Sequence, residues 1–376
     1  MTDKELREIK RRFRPDRSNV ARIVGCFVNS NGQILNKITQ PLSLTEDLVS
    51  EKLLGAMKKT LSGSLGANLV DVSFSTKQVT DSPEHKLLMR LVKSHLQDAE
   101  ALDALYAAIT ETVRFEGNYV ILLANDVYDV VTKGRDGESS DSTESFNYVI
   151  CSVCPVKSLP EALSFREADS LFHALTASAV LASPELGFMF PAFDDRRTNI
   201  YGALYYTRSV AVSYPEFTVR VLATEAPMPP KLQREQFGQC LSSALGDECS
   251  YEVVRSVQTQ MEEMVQAHKE SGDPEPLTVT AQTVRTMLAN CGVDEEKLDK
   301  LSGEMDSGFG KNAALNPKNL VKLNKFDLST PEVSVKVDPE HKDLVSTQVI
   351  NNVRYLMIKV TSGVEVNGIN LKFEEE

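Results

Sequence analysis

Asp194 and Asp195 stand beside Arg196 and Arg197 in the segment GFMFPAFDDRRTNIYGALYY, which runs from Gly187 to Tyr206. Paired carboxylates can hold a divalent cation, and paired guanidiniums can grip an anion through bidentate hydrogen bonds. Direction decides whether either use is open. Side chains adjacent in an extended chain point to opposite faces, so Asp194 and Asp195 cannot share one ion unless the chain bends between them. The neighbouring arginines also oppose a cation. Phe188 and Phe190 alternate onto one face, and Tyr201 and Tyr205 follow the polar stretch Phe193–Asn199. That pattern predicts two aromatic strands joined by a charged tip whose Asp and Arg neutralise each other in solvent. Such a tip is architecture first; at most Arg196 and Arg197 offer an anion or partner surface.

A second pair of acids follows a buried strand. NYVILLANDVYDVV reads as apolar β-structure running out into Asn125, Asp126 and Asp129. Loops at strand ends often carry functional groups. If Asp126 and Asp129 met Asp194 and Asp195 in space, the four would form a metal site suited to a hydrolase; otherwise they are solvated loop acids. Cys151 and Cys154 form a lone CxxC with no second ligand pair to complete a zinc site. They fall in a strand pattern, three apart and hence on opposite faces, as buried thiols would. The five histidines make no HExxH, and no GxSxG, Walker or GxGxxG spacing occurs. No cofactor or metal is expected, and a catalytic role is less expected than a binding one.

Basic residues point to anions instead. Residues 3–14 pattern as an amphipathic helix with Leu6, Ile9 and Phe13 on one face, ended by Pro15. Met1 to Arg17 hold seven basic and four acidic residues, a local charge of +3. Lys10, Arg11 and Arg14 are the phosphate-contact candidates here, although the four acids dilute the patch. Farther on, TAQTVRTMLANCGVDEEKLDKLSGEM predicts two short helices about Cys291-Gly292-Val293, with Asp294 capping the second. That second helix carries too many acids to read a major groove. Lys311, Lys318, Lys322 and Lys325, in a stretch without acids, are better candidates for touching nucleic acid.

Certain elements must position these groups. Asn31-Gly32 between two apolar runs predicts a hairpin. Ser43-Leu44-Thr45-Glu46 reads as a capping box for a helix that buries Leu53, Leu54, Met57 and Leu61. NLVDVSFST and FNYVICSVCPV read as strands, and residues 85–115 as two helices broken near Asp98. Residues 134–145 are Gly, Ser and acid, a mobile acidic loop. The fold class is α+β (mixed α/β). An N-terminal domain, 1–226, is a sheet with packed helices. The Pro-rich APMPPK opens a C-terminal domain, 227–376, of helices and β-hairpins, the last hairpin turning at Asn367-Gly368. At 376 residues and net charge −12, the chain as a whole repels nucleic acid and anionic membrane, so only a local basic face could bind either. Met1-Thr2-Asp3-Lys4-Glu5, with no apolar stretch behind it, predicts no secretory leader. The unframed cysteines fit a reducing cytoplasm.

Four quoted stretches carry a resemblance that spans nearly the whole chain. EIKRRFRPDRSNVARIVGCFVN, KKTLSGSLGANLVDVSFSTKQVTDSPEHKLLM, FNYVICSVCPVK and PELGFMFPAFDDRRTNIYGALYYTR together resemble a bacterial domain-of-unknown-function family, common in anaerobic Gram-positive organisms, which brings no activity with it. In order of parts the chain is also similar to the nucleoid-associated NdpA family. Thr280–Met305 would match that family's two-helix unit, and VSVKVDPEHKDLVSTQVINNVRYLMIKV its β-rich end. The resemblance implies a cytoplasmic, non-enzymatic protein, open to homodimerisation and associated with DNA or with DNA-handling proteins. The expected function is therefore non-catalytic binding of a protein or nucleic-acid partner, with no membrane. A metal-dependent hydrolase using the four aspartates and a protein–protein scaffold stand as alternatives.

Overall fold

A computed structural model describes residues 1–130, 144–159, 161–175, 178–212, 214–225, 228–271, 273, 275–322, 326–329, 332–338, 341, 344–360, 364–366 and 369–371. Most of the predicted acidic loop, the Asn367-Gly368 turn and Lys325 lie outside these residues; Glu144 and Ser145 open a strand. The chain divides into two compact units, Met1–Leu232 with Asp273–Pro276, and Gln233–Gly272 with Leu277–Glu376.

The first unit begins with α1 (Asp3–Arg12), started by a capping box in which Thr2 and Glu5 satisfy each other's backbone N–H. The predicted hairpin follows as β1 (Arg22–Val28) and β2 (Ile34–Pro41), with Gly32 supplying the left-handed turn at φ 80°. The capping box expected at Ser43 does not form. After Pro41 the chain closes a 3₁₀ turn over Leu42–Leu44, and the Thr45 hydroxyl donates to the Pro41 carbonyl at 2.7 Å. Helix α2 (Asp47–Lys59) therefore starts later, from Glu46, without a side-chain cap. Next come β3 (Leu69–Ser73), the unforeseen short helix α3 (Thr76–Asp81), α4 (Pro83–Lys93) and α5 (Ala99–Thr112), the last capped by the Asp98 carboxylate. Two long strands, β4 (Tyr119–Val130) and β5 (Glu144–Leu159), lead to the short strands β6 (Ala162–Arg166), β7 (Leu171–Leu175) and β8 (Ser178–Leu181). Then follow β9 (Leu186–Phe190), β10 (Ala192–Asp194), β11 (Arg197–Asn199), β12 (Gly202–Thr207) and α6 (Pro215–Leu222).

Strands pair in the order β2-β1-β4-β5-β9-β12-β3, every pairing antiparallel, and β8 joins the far end of β5. Alternation sorts the side chains onto two faces. Val24, Cys26, Ile121, Leu123, Cys151, Phe188 and Tyr205 pack in a core that includes residues of α4, α5 and α6. Ile23, Val120, Leu122, Tyr148, Ile150, Met189 and Leu204 pack in another with Leu6, Ile9 and Phe13 of α1 and Leu54 and Met57 of α2. A central sheet covered by helices on both faces, as here, needs apolar residues at both parities, which is why its strands read as continuous apolar runs.

The second unit is helical and then β. It contains α7 (Pro230–Leu245), α8 (Tyr251–Ser271), α9 (Ala281–Ala289), α10 (Glu295–Phe309) and α11 (Pro317–Leu320). Phe237, Leu241, Val257, Met261, Met287 and Leu301 are among its core residues. Among the described residues three two-stranded antiparallel pairs follow: β13 (Phe326–Ser329) with β14 (Ser334–Val337), β15 (Val345–Ile350) with β16 (Val353–Ile358), and β17 (Val364–Val366) with β18 (Ile369–Leu371). The fold is mixed α+β.

Candidate functional site

Asp126 is not at a strand exit. Strand β4 continues through it to Val130, paired with β5, so that Asp126 sits opposite Tyr148 and is 1% exposed. Being an even residue of β4, it points to the face covered by α1. A bare carboxylate there would be costly. Instead it accepts four hydrogen bonds: Arg12 donates from Nε to Oδ2 (3.0 Å) and from Nη2 to Oδ1 (3.2 Å), the Asn19 N–H donates to Oδ1 (3.0 Å), and the Tyr148 hydroxyl donates to Oδ2 (2.9 Å). Burial pushes the Tyr148 phenol well above its usual range, and the Asp126 charge adds to the rise. Burial works most strongly against the Arg12 guanidinium, but the hydrogen bond to Asp126 and the attraction of that carboxylate together with the neighbouring tyrosines outweigh it and raise its pKa. Both partners therefore keep the protons that hold the carboxylate.

A second layer adjoins this one. The Tyr128 hydroxyl donates to Glu8, and its ring carries the Arg12 guanidinium over its face at 5.2 Å. Burial first, then the Glu8 bond, raises the Tyr128 pKa. Glu8 also receives Arg196 Nη2 at 2.9 Å, and Glu5 Oε1 receives the Arg196 backbone N–H at 3.1 Å. These contacts fasten α1 to the β10–β11 hairpin and to the end of β4.

The hairpin tip itself departs from expectation. Asp195 and Arg196 both adopt left-handed backbone, φ 48° and 59°, and close a tight two-residue turn between β10 and β11. Phe193 is fully buried rather than part of a polar tip. The paired acids and arginines do not chiefly neutralise one another: Arg196 binds Glu8, and Asp194 Oδ1 lies 3.5 Å from the Met1 amine. Asp195 and Arg197 are exposed.

The four aspartates are not brought together as a shared ligand set. Asp126 and Asp129 are three apart on one strand and so face opposite ways, and Asp129 is exposed. Asp126 already spends its lone pairs on fixed donors. Among the described residues, no three His, Cys, Asp or Glu side chains group in a way that could hold a metal ion. Cys151 and Cys154 are fully buried; burial raises both thiols, Cys154 to about 12. In the second unit α9 and α10 flank Cys291-Gly292-Val293 as predicted, and Asp294 takes the N-cap position of α10 without a side-chain bond. Two acids of α10, Glu295 and Asp299, pair with Arg285 of α9. Lys311, Lys318 and Lys322 are exposed, Lys318 on α11.

Of the first basic cluster, Arg11 and Arg14 are exposed and Lys10 is half-buried. Burial lowers the Lys10 ammonium; the Asp3 charge opposes this in part, and repulsion from Lys58 of α2 adds to it. Arg12, Glu5, Glu8, Asn19, Tyr128 and Tyr148 were missed. A signal existed for three of them: Glu5, Glu8 and Arg12 recur at i, i+3 and i+7, a charged stripe flanking Leu6, Ile9 and Phe13. Nothing local marks Tyr148, which reaches Asp126 only through strand register.

Among the described residues, no helix is long and apolar enough to cross a membrane. No curated protein matches the chain at a significant level. A family model does match, over residues 1–369, and the chain belongs to that family, described as a domain of unknown function (DUF4317).

Proposed function

We propose that this is a non-catalytic binding protein of the cytoplasm that engages nucleic acid or a protein that handles it. The observation carrying this reading is how α1 sorts its charges. Glu5 and Glu8, which dilute the basic segment in sequence, turn inward and are taken up by Thr2, Tyr128 and Arg196. Arg11 and Arg14 stay in solvent, and among the described residues no carboxylate lies in ion-pair range of either. Binding fits better than catalysis because Asp126, the most buried carboxylate among the described residues, is saturated by four donors and Tyr148 holds its proton. A catalytic base needs a free lone pair within reach of substrate.

The test is retention on immobilised duplex DNA in a salt gradient. Retention at low salt, lost as salt rises, supports the nucleic-acid branch; passage through the column at 20 mM salt ends it. A protein-binding scaffold is a second reading, favoured by the β6–β7 hairpin. There Leu163, Phe165, Leu171 and Phe172 are exposed, with Phe165 against Phe172 at 5.2 Å. Isolated two-stranded hairpins with apolar faces gain stability from a covering partner.

A further inference from the structure

We propose that the outer face of α1 is a phosphate-backbone contact for duplex nucleic acid, formed by Lys4, Arg7 and Arg11 on the helix and Arg14 in the turn beyond it. The proposal rests on the binding function above and names its surface and partner. Lys4, Arg7 and Arg11 recur at i, i+3 and i+7, so they share one face. Leu6, Ile9 and Phe13 occupy the opposite face and are buried in the sheet-side core. Docking thus fixes which way the bases point. All four are exposed, and among the described residues no carboxylate lies within ion-pair distance of any of them. Arg7 uses only its Nε, donating to the Asp3 carbonyl. Lys10, on the flank towards Lys58 of α2, extends the positive surface. Asp3 is the one exposed acid of the helix, and Asp16, in the turn after it, pairs with Arg17.

Three features choose the partner. The stripe from Lys4 to Arg11 is about 10 Å long at an α-helical rise, enough to meet successive phosphates of one strand. A bilayer surface would need an apolar helix face free to insert, and here that face is buried, with Leu6 3%, Ile9 0% and Phe13 4% exposed. Single strands are held by stacking on aromatic side chains, and the only aromatic residue between Met1 and Arg17 is the buried Phe13. Charge without stacking or insertion fits a duplex backbone, bound without sequence preference. The net charge of −12 makes the contact weak and salt-sensitive.

The experiment is fluorescence anisotropy of a labelled 20-base-pair duplex with the full chain, from 20 to 200 mM salt. Two variant sets are compared with wild type: Lys4→Gln/Arg7→Gln/Arg11→Gln/Arg14→Gln, and Lys311→Gln/Lys318→Gln/Lys322→Gln. All these positions are exposed, and unchanged circular dichroism melts verify folding. Expected for wild type is a log–log salt slope of about −3.6, since each neutralised phosphate contributes about −0.9. The first set should lose at least tenfold in affinity at 20 mM salt and most of the slope, and the second should bind as wild type. If the first set binds as wild type while the second loses binding, this surface is wrong and the nucleic-acid function stands. If wild type binds no duplex at 20 mM salt, both fall. Equal affinity for phosphatidylserine vesicles or for polyglutamate overturns the duplex assignment.

Discussion

The Arg12 guanidinium meets the Asp126 carboxylate at two points, 3.0 Å and 3.2 Å, although the two residues are 114 apart in sequence. This contact, with Tyr148 and Asn19 on the same carboxylate, joins the first helix to the middle of the sheet. It fixes the rotation of α1 and hence which of its charges face solvent.

Removing one partner should cost far more than removing both. Asp126→Ala leaves Arg12 and the Tyr148 hydroxyl without their acceptor in a buried setting, and the expected loss is about 3–5 kcal/mol. Arg12→Met with Asp126→Leu and Tyr148→Phe restores an apolar joint, leaving no buried side-chain donor there without an acceptor, and should recover most of that loss. Urea unfolding of the three proteins measures both. A single-variant loss under about 1 kcal/mol would mean the joint is solvated.

The tight turn makes an asymmetric prediction about two adjacent residues. Asp195→Gly places glycine where φ is 48° and, among the described residues, breaks no ion pair, so stability should hold or rise by up to about 1 kcal/mol. Arg196→Gly relieves the same kind of backbone but loses Nη2 to Glu8, and should be destabilising. Equal thermal shifts for the two variants would show that the Glu8 contact contributes nothing.

His85 gives stability a pH dependence. It is 1% exposed between Phe74 and Phe190, with Nε2 against the Ile200 carbonyl and Nδ1 without a partner among the described residues. Burial lowers its pKa from 6.5, and the bond to Ile200 only partly opposes this. The unfolded chain therefore takes up the proton first as pH falls. Stability from this site is complete above about pH 6.5 and declines below it, through the lowered folded value. His85→Phe should flatten that part of the profile. Parallel unfolding profiles for variant and wild type between pH 7 and 5 would remove His85 as the cause.

Thiol reactivity should divide by burial. Cys26, Cys151 and Cys154 are fully buried, and burial raises all three, Cys26 and Cys154 to about 12. The thiolate is the reactive form. Native protein at pH 8 should therefore react slowly with an aromatic disulfide reagent at these three, with Cys249 and Cys291 reacting first because they are only partly covered. Mass mapping of the labelled peptides checks the order. Early labelling of Cys151 would mean that the sheet opens far more readily than its packing implies.

Gly187 should tolerate no side chain. A Cβ there would meet the Cys151 carbonyl oxygen at 2.2 Å and the Thr60 methyl at 2.7 Å, and backbone cannot retreat as a flexible side chain can. Gly187→Ala should cost roughly 3 kcal/mol or more. Gly55→Ala, where a Cβ meets nothing within 4 Å, is the control and should be neutral or slightly stabilising on its helix. Thermal melts of the pair decide it.

Local pattern was enough for the mixed α+β class, the Asn31-Gly32 hairpin, the break at Asp98 and the α9–α10 unit, because turn chemistry and periodicity act within a few residues. Spacing within a strand pattern likewise foretold Cys151 and Cys154 as buried thiols. Pattern misled at Asp126, where two polar residues, Asn125 and Asp126, after six apolar ones looked like a strand end. Only β5, pairing along the full length of β4, shows that the strand goes on, and only α1 supplies the charge that lets an acid be buried there. Ser43 failed as a cap because Pro41 and the 3₁₀ turn it leads into decide where the helix can begin. The net charge of the first seventeen residues was legible, but its direction was not. A helix in isolation has no inside, so Glu8 and Arg11 stand as equals in the sequence until the sheet takes up one and leaves the other in water.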